Sequence, residues 1–196
     1  MVKIGLIGLG NHMLSQMIPN LLKLPVVITA VCDKEEEKLV RVSRYLHLSR
    51  EKCYLSWEEM LEKETLDGVI CVADADLHYR AAAASLRRRI PVFVEKTPCL
   101  SAVQAAKLCC LQKEYNCFGM AGFNRRYATS YRMMKKVIGT EAFGNPCLYM
   151  AKYNSSPYRD SRYFVLNHVI HHLDLMRYLL GEIDWIDAQR IEIADG

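Results

Sequence analysis

Short apolar runs alternate with amphipathic stretches along the first two thirds of the chain. Residues 3–7, 26–32, 68–72, 91–94 and 117–122 are brief runs rich in Val, Ile, Leu, Ala and Cys, the length of strands rather than helices. Between them, after Asn11 and over residues 34–46 and 76–89, apolar positions recur at helical spacing. Ser56-x-x-Glu59 and Ser101-x-x-Gln104 read as capping boxes that start two further helices. This βαβα rhythm predicts an α/β fold with a doubly wound parallel sheet and helices on both faces.

From Phe123 onward the rhythm changes. The pattern predicts a helix over 128–138, a turn region over 139–146, a strand over 147–153, a helix stopped by Gly181 and a strand over 183–193. The domain boundary is therefore set at Gly122, with residues 1–122 as one domain and 123–196 as a partial α+β domain. Two strands are too few to bury a good sheet face, and an unpaired edge invites association. Either a fragment of a longer protein or assembly with another chain is expected.

Composition narrows the classes. With 196 residues, 51% of them hydrophobic, the chain supplies a real core and is not disordered. The balance of 26 basic against 22 acidic residues leaves only +4, too little to imply a nucleic-acid surface. The one dense basic run, Arg87-Arg88-Arg89, falls at an expected helix end, where cations offset the macrodipole. Eight cysteines include no C-x-x-C, and the chain runs from Met1 directly into its first apolar run. Reduced thiols in a soluble, cytoplasmic protein, with no membrane or nucleic-acid partner, are the expectation.

Candidate chemistry starts at Gly8-Leu9-Gly10-Asn11-His12-Met13, which follows a strand and opens a helix. In that context two glycines allow a tight turn and let a pyrophosphate approach helix N-terminal amides, although Met13 replaces a third glycine. Asp33 ends the second strand just over twenty residues later, where a carboxylate accepts from an adenosine ribose and repels a 2′-phosphate. NAD is thus favoured over NADP. Asp33 also suits the N-cap of the next helix.

Half of the six histidines fall within Asn167-His168-Val169-Ile170-His171-His172-Leu173-Asp174. Asn167, His171 and Asp174, at i, i+4 and i+7, share one α-helical face and join an amide, an imidazole and a carboxylate. His168 and His172 have the spacing of zinc helices, but no H-E-x-x-H glutamate and no third ligand accompany them, so no metal is assigned.

Further stretches occur in order: Val69 to His78, Val92-Phe93-Val94-Glu95-Lys96-Thr97-Pro98, Gly122-Phe123-Asn124-Arg125-Arg126-Tyr127, and the histidine helix running to Asp174-Leu175-Met176-Arg177. Together with the glycine turn they resemble the Gfo/Idh/MocA family of NAD(P)-dependent oxidoreductases. Its marks are a glycine-rich first turn, a Glu-Lys-Pro turn after the fifth strand and an Asp-x-x-x-His-x-x-Asp helix. The resemblance implies a Rossmann-type domain followed by the start of an open, mainly antiparallel sheet, in a homo-oligomer. It implies hydride transfer between NAD(P) and a CH–OH group of a sugar, inositol or other polyol. Lys96 would stand beside the nicotinamide and stabilise alkoxide charge, with His171 as base and Asn167 beside it. Gly8, Gly10, Asn11, His12, Asp33, Ala73, His78, Glu95 and Lys96 would line the cofactor, and Arg126 and Asp174 the substrate. For His78 a helix-surface position, and for Arg126 a loop anchor, are equal alternatives.

Three departures bear on activity. Asn167 replaces an aspartate and cannot accept a proton, Thr97 displaces the proline after Lys96 by one position, and Ala75 replaces an asparagine. They motivate a second reading, a dinucleotide-binding regulatory or scaffold protein with little turnover.

Overall fold

The apolar runs form six parallel strands, β1 (Val2–Ile7), β2 (Val26–Cys32), β3 (Cys53–Tyr54), β4 (Gly68–Cys71), β5 (Val92–Glu95) and β6 (Gly119–Gly122), in the order β3-β2-β1-β4-β5-β6. This is a Rossmann sheet, whose order reverses between β1 and β4. The coordinates are a computed structural model that describes residues 1–154 and 159–189. The chain divides into two compact units, Met1–Gly122 and Phe123–Gly196.

Strand alternation distributes the first unit's core over both sheet faces. Ile4, Leu6, Ile28, Val31 and Ile70 pack with Met13, Ile18, Leu39 and Val42, under the helical segment that follows Gly10 and under α2 (Glu36–Leu46). That segment is π-helical over Met13–Met17 and runs into α1 (Ile18–Leu21). Ile7, Val69, Cys71, Val92 and Val94 face α3 (Trp57–Lys63), α4 (Ala75–Arg87) and α5 (Ala102–Tyr115). One extra residue in β2, at the shift between Ile4 and Gly5, puts Ile28 and Val31 on one face despite their odd spacing.

Both predicted caps form. Ser56 Oγ accepts from Glu59 N–H at 3.3 Å and Ser101 Oγ from Gln104 N–H at 3.2 Å. Neither box closes on its cap residue: Gln104 Oε1 accepts from Leu100 N–H, one residue before the cap, at 2.9 Å, and Glu59 turns to Lys63. Strand β3 was not expected; two residues carry no periodicity.

The second unit holds a 3-10 turn Asn124–Tyr127, α6 (Thr129–Ile138), α7 (Ser161–Phe164), a π-helical segment Val165–Val169 and α8 (Ile170–Leu180). The strand expected over 147–153 does not form, and residues 183–189 of the other are unpaired; its positions 190–193 lie outside the described residues. A strand exists only by backbone pairing, and no described neighbour offers an edge. Tyr149 and Tyr153 pack on the histidine helix instead.

Candidate active site

The turn after β1 is built around Gly8, whose φ of +82° lies in the left-handed region, and a Cβ there would meet Val72 O at 2.2 Å. Only glycine fits. At Gly10 the opposite holds: an added Cβ meets nothing within 4 Å. The turn therefore leaves open space at the start of the helix, where the first amides have no intrahelical acceptor.

A crevice of about 310 Å³ continues from Gly8 and Gly10 past Asp33, Lys38, Trp57 and Ala73. It is bounded by the ends of β1, β2 and β4, the place where an open parallel sheet binds ligands. Asp33 is 8% exposed; its Oδ2 accepts from Leu9 N–H at 2.7 Å and its Oδ1 from Glu35 N–H at 3.0 Å. Asp33 is not the N-cap of α2, which is Glu35; its Oδ1 closes a turn before the helix, and the side chain lines the crevice. A carboxylate accepts about four hydrogen bonds, so capacity for ribose hydroxyls remains. The open space at Gly10 and this carboxylate together fit a dinucleotide.

At the end of β5, Glu95 is buried, and its Oε2 accepts from Lys96 N–H at 3.0 Å. Its Oε1 lies 3.6 Å from His12 Nε2, so the glycine turn reaches across to β5. Lys96 is half-buried, and its ammonium has no hydrogen-bond or ion-pair partner among the described residues.

His78 does not take the exposed one of its two expected positions. It is fully buried in α4, not on the helix surface. Its Nε2 accepts from Ala73 N–H at 2.8 Å, and its Nδ1 lies 2.9 Å from Thr97 O. An amide donor at one nitrogen and a carbonyl at the other assign the neutral Nδ1–H tautomer. Burial lowers its pKa, opposed by the Thr97 hydrogen bond. Neither nitrogen is left for a cofactor; His78 ties the β4 turn to the turn carrying Lys96.

In the second unit, Arg126 clasps Asp174 through Nε and Nη2, at 2.6 to 3.0 Å. Asp174 is 6% exposed, and a carboxylate so buried needs a paired cation. The two hold each other, the geometry that the loop-anchor reading of Arg126 requires. Forty-eight residues separate them, and no spacing rule signals such a pair.

Asn167 lies in the π-helical segment, and its Nδ2 donates to Tyr163 O at 3.0 Å. The α-helical spacing from which one face was derived is thus interrupted by a π turn at Asn167. His171 is half-buried in α8. His168 and His172 pack around Tyr153, at 5.3 and 5.7 Å between ring centroids. His172 Nδ1 lies 3.3 Å from Tyr149 Oη, and burial, helped by Arg125, lowers the His172 pKa. Among the described residues no three His, Cys, Asp or Glu side chains gather as a metal site.

The Gfo/Idh/MocA family model, described as an oxidoreductase family with an NAD-binding Rossmann fold, matches residues 2–123. The chain belongs to this family. Similar members include myo-inositol 2-dehydrogenase of Thermotoga maritima, 25% identical over 189 residues, covering 92% of this chain and 55% of the relative. Inositol 2-dehydrogenase of Acidiphilium cryptum is 29% identical over 204 residues, covering 97% and 57%. Among solved structures, myo-inositol 2-dehydrogenase of Lactobacillus plantarum superposes with a TM-score of 0.81 at 25% identity, over 92% of this chain and 56% of that one. The chain thus spans about half the length of the curated relatives it matches. Among the described residues no helix is long and apolar enough to cross a membrane.

Proposed function

We propose that this chain takes part in NAD-dependent hydride transfer at a CH–OH group of a polyol or sugar, inositols being the first class to test. The observation that carries the reading is the open crevice at Gly10 and Asp33 in the same unit as an ammonium, Lys96, that has no partner among the described residues. NAD, when bound, supplies the hydride acceptor. Gly8 and Gly10 let the pyrophosphate approach backbone amides, with Asn11 and His12 at the helix start. Asp33 accepts from the adenosine ribose, and Ala73 and Glu95 line the remaining path. Lys96 stabilises negative charge on the substrate oxygen, His171 takes the hydroxyl proton near neutral pH, and Asn167 orients the substrate. Named relatives are inositol 2-dehydrogenases, which supports the substrate class.

A second reading, dinucleotide binding with little turnover, draws on Asn167, whose amide is committed to Tyr163 O and cannot accept a proton. Fluorescence titration with NADH tests both readings, and absence of binding overturns both. Oxidation of an inositol and polyol panel then separates them: turnover lost in Lys96→Ala supports the enzyme, and NADH binding without turnover supports the regulator.

Exposed Met133, Met134, Val137, Leu148 and Met150 in the second unit support a homo-oligomer. Eight free cysteines fit a reducing, cytoplasmic setting.

A further inference from the structure

The adenosine end of the crevice carries more charge than Asp33 alone. Lys34 and Lys38 line it as well. Lys38 Nζ lies 2.7 Å from Glu35 Oε1 and 4.0 Å from Asp33 Oδ1, so one ammonium is shared by two carboxylates. Asp33 cannot swing away, because Leu9 and Glu35 amides hold both its oxygens. Glu35 is different: its side chain is about half exposed, and among the described residues its carboxylate is attached to the crevice only through Lys38.

We propose that Glu35 is a specificity-determining residue, which excludes a 2′-phosphorylated dinucleotide by sequestering Lys38. This rests on the dinucleotide reading above and deepens it. A 2′-phosphate set beside Asp33 needs a cation to offset the carboxylate, and Lys38 stands within reach of that carboxylate. While Glu35 holds it, the two carboxylates, Asp33 and Glu35, balance the two ammoniums, Lys34 and Lys38, and no net positive charge is left to meet the phosphate. With Glu35 removed, Lys38 and Lys34 together outweigh Asp33. A lysine three residues along the same helix, presented to the same crevice, is placed to meet the phosphate as a point charge. Uncharged ribose hydroxyls gain little from the same change, so the effect appears in the ratio of the two cofactors rather than in binding as a whole.

The experiment compares dissociation constants of NADH and NADPH for the wild-type chain, Glu35→Ala and Glu35→Ala/Lys38→Met by fluorescence titration at low salt, where partly exposed charges are least screened. The expected result is a shift of roughly tenfold toward NADPH in Glu35→Ala, equivalent to about 1.4 kcal/mol. That shift reverts when Lys38 is also removed. An unchanged NADPH-to-NADH ratio in Glu35→Ala overturns the proposal while leaving the dinucleotide reading intact. A shift that survives in the double variant also overturns it, since loss of a negative charge, not release of Lys38, would then be the cause. Failure of the wild-type chain to bind either dinucleotide overturns the underlying reading and the proposal with it.

Discussion

Replacing His78 by alanine removes a side chain that is 0% exposed and that bridges two turns. The Ala73 N–H and the Thr97 carbonyl both lose their partner in a water-poor site. Each stranded group costs about 1–3 kcal/mol, and the imidazole-sized void adds to that, so a total loss of roughly 3–5 kcal/mol is expected. Against a domain stability of about 5–15 kcal/mol, such a loss shifts a urea midpoint clearly. Trp57 packs against the core of this unit, and its fluorescence reports the transition. The pH dependence provides an independent check. Burial holds the folded-state pKa of His78 below its ordinary value of 6.5. Below pH 6.5 the unfolded chain therefore binds a proton that the folded chain refuses. The stabilisation is complete above that pH and declines as pH falls toward the folded pKa, by at most about 1.4 kcal/mol per pH unit. Subtracting the curve of His78→Gln isolates this limb from other groups. A loss below about 1 kcal/mol for His78→Ala, or parallel pH curves for wild type and His78→Gln, would refute the bridge.

The two glycines of the first turn should separate folding from binding. Gly8→Ala forces a Cβ to 2.2 Å from Val72 O at positive φ and is expected to cost at least about 3 kcal/mol, whereas Gly10→Ala enters open space, keeps the thermal midpoint and weakens NADH. A Gly10→Ala chain that binds NADH like wild type would count against pyrophosphate at that turn. Arg126→Gln leaves the Asp174 carboxylate buried without its partner; because the Arg126 side chain is 36% exposed, the expected loss is roughly 1–3 kcal/mol, recovered in part by Asp174→Asn in a double-mutant cycle. Undiminished stability with weakened substrate binding alone would favour the substrate role over the anchor. Thiol titration of the native protein should label exposed Cys109, Cys110 and Cys147 rapidly, while Cys32, its pKa pushed up to about 12 by burial with Asp33 adding, stays inert until unfolding. Fast labelling of Cys32 would show β2 opening in the native state.

Local information carried the first unit. Apolar runs at strand length, helical spacing between them and the serine caps at Ser56 and Ser101 each act over a few residues, so the alternation that defines a parallel sheet is written in order along the chain. The glycine turn and Asp33 were legible for the same reason, since a βαβ unit puts its ends together whatever else the chain does. Strand β3 was not legible, because two residues have no period. Among the described residues, the strands expected beyond Gly122 do not form, because pairing is a property of two segments and alternating residues alone do not supply the second.

What only the tertiary structure decided is which polar atom meets which. Asn167, His171 and Asp174 form a sequence motif, yet the amide of the first donates to Tyr163 O, and Arg126, forty-eight residues upstream of Asp174, pairs with the last. His78 is an unremarkable helical histidine until the fold closes Ala73 and Thr97 around its ring. The physical reason is burial: removed from water, each donor, acceptor and charge must find its partner within the protein. That partner is set by three-dimensional neighbourhood, which short-range patterns do not encode.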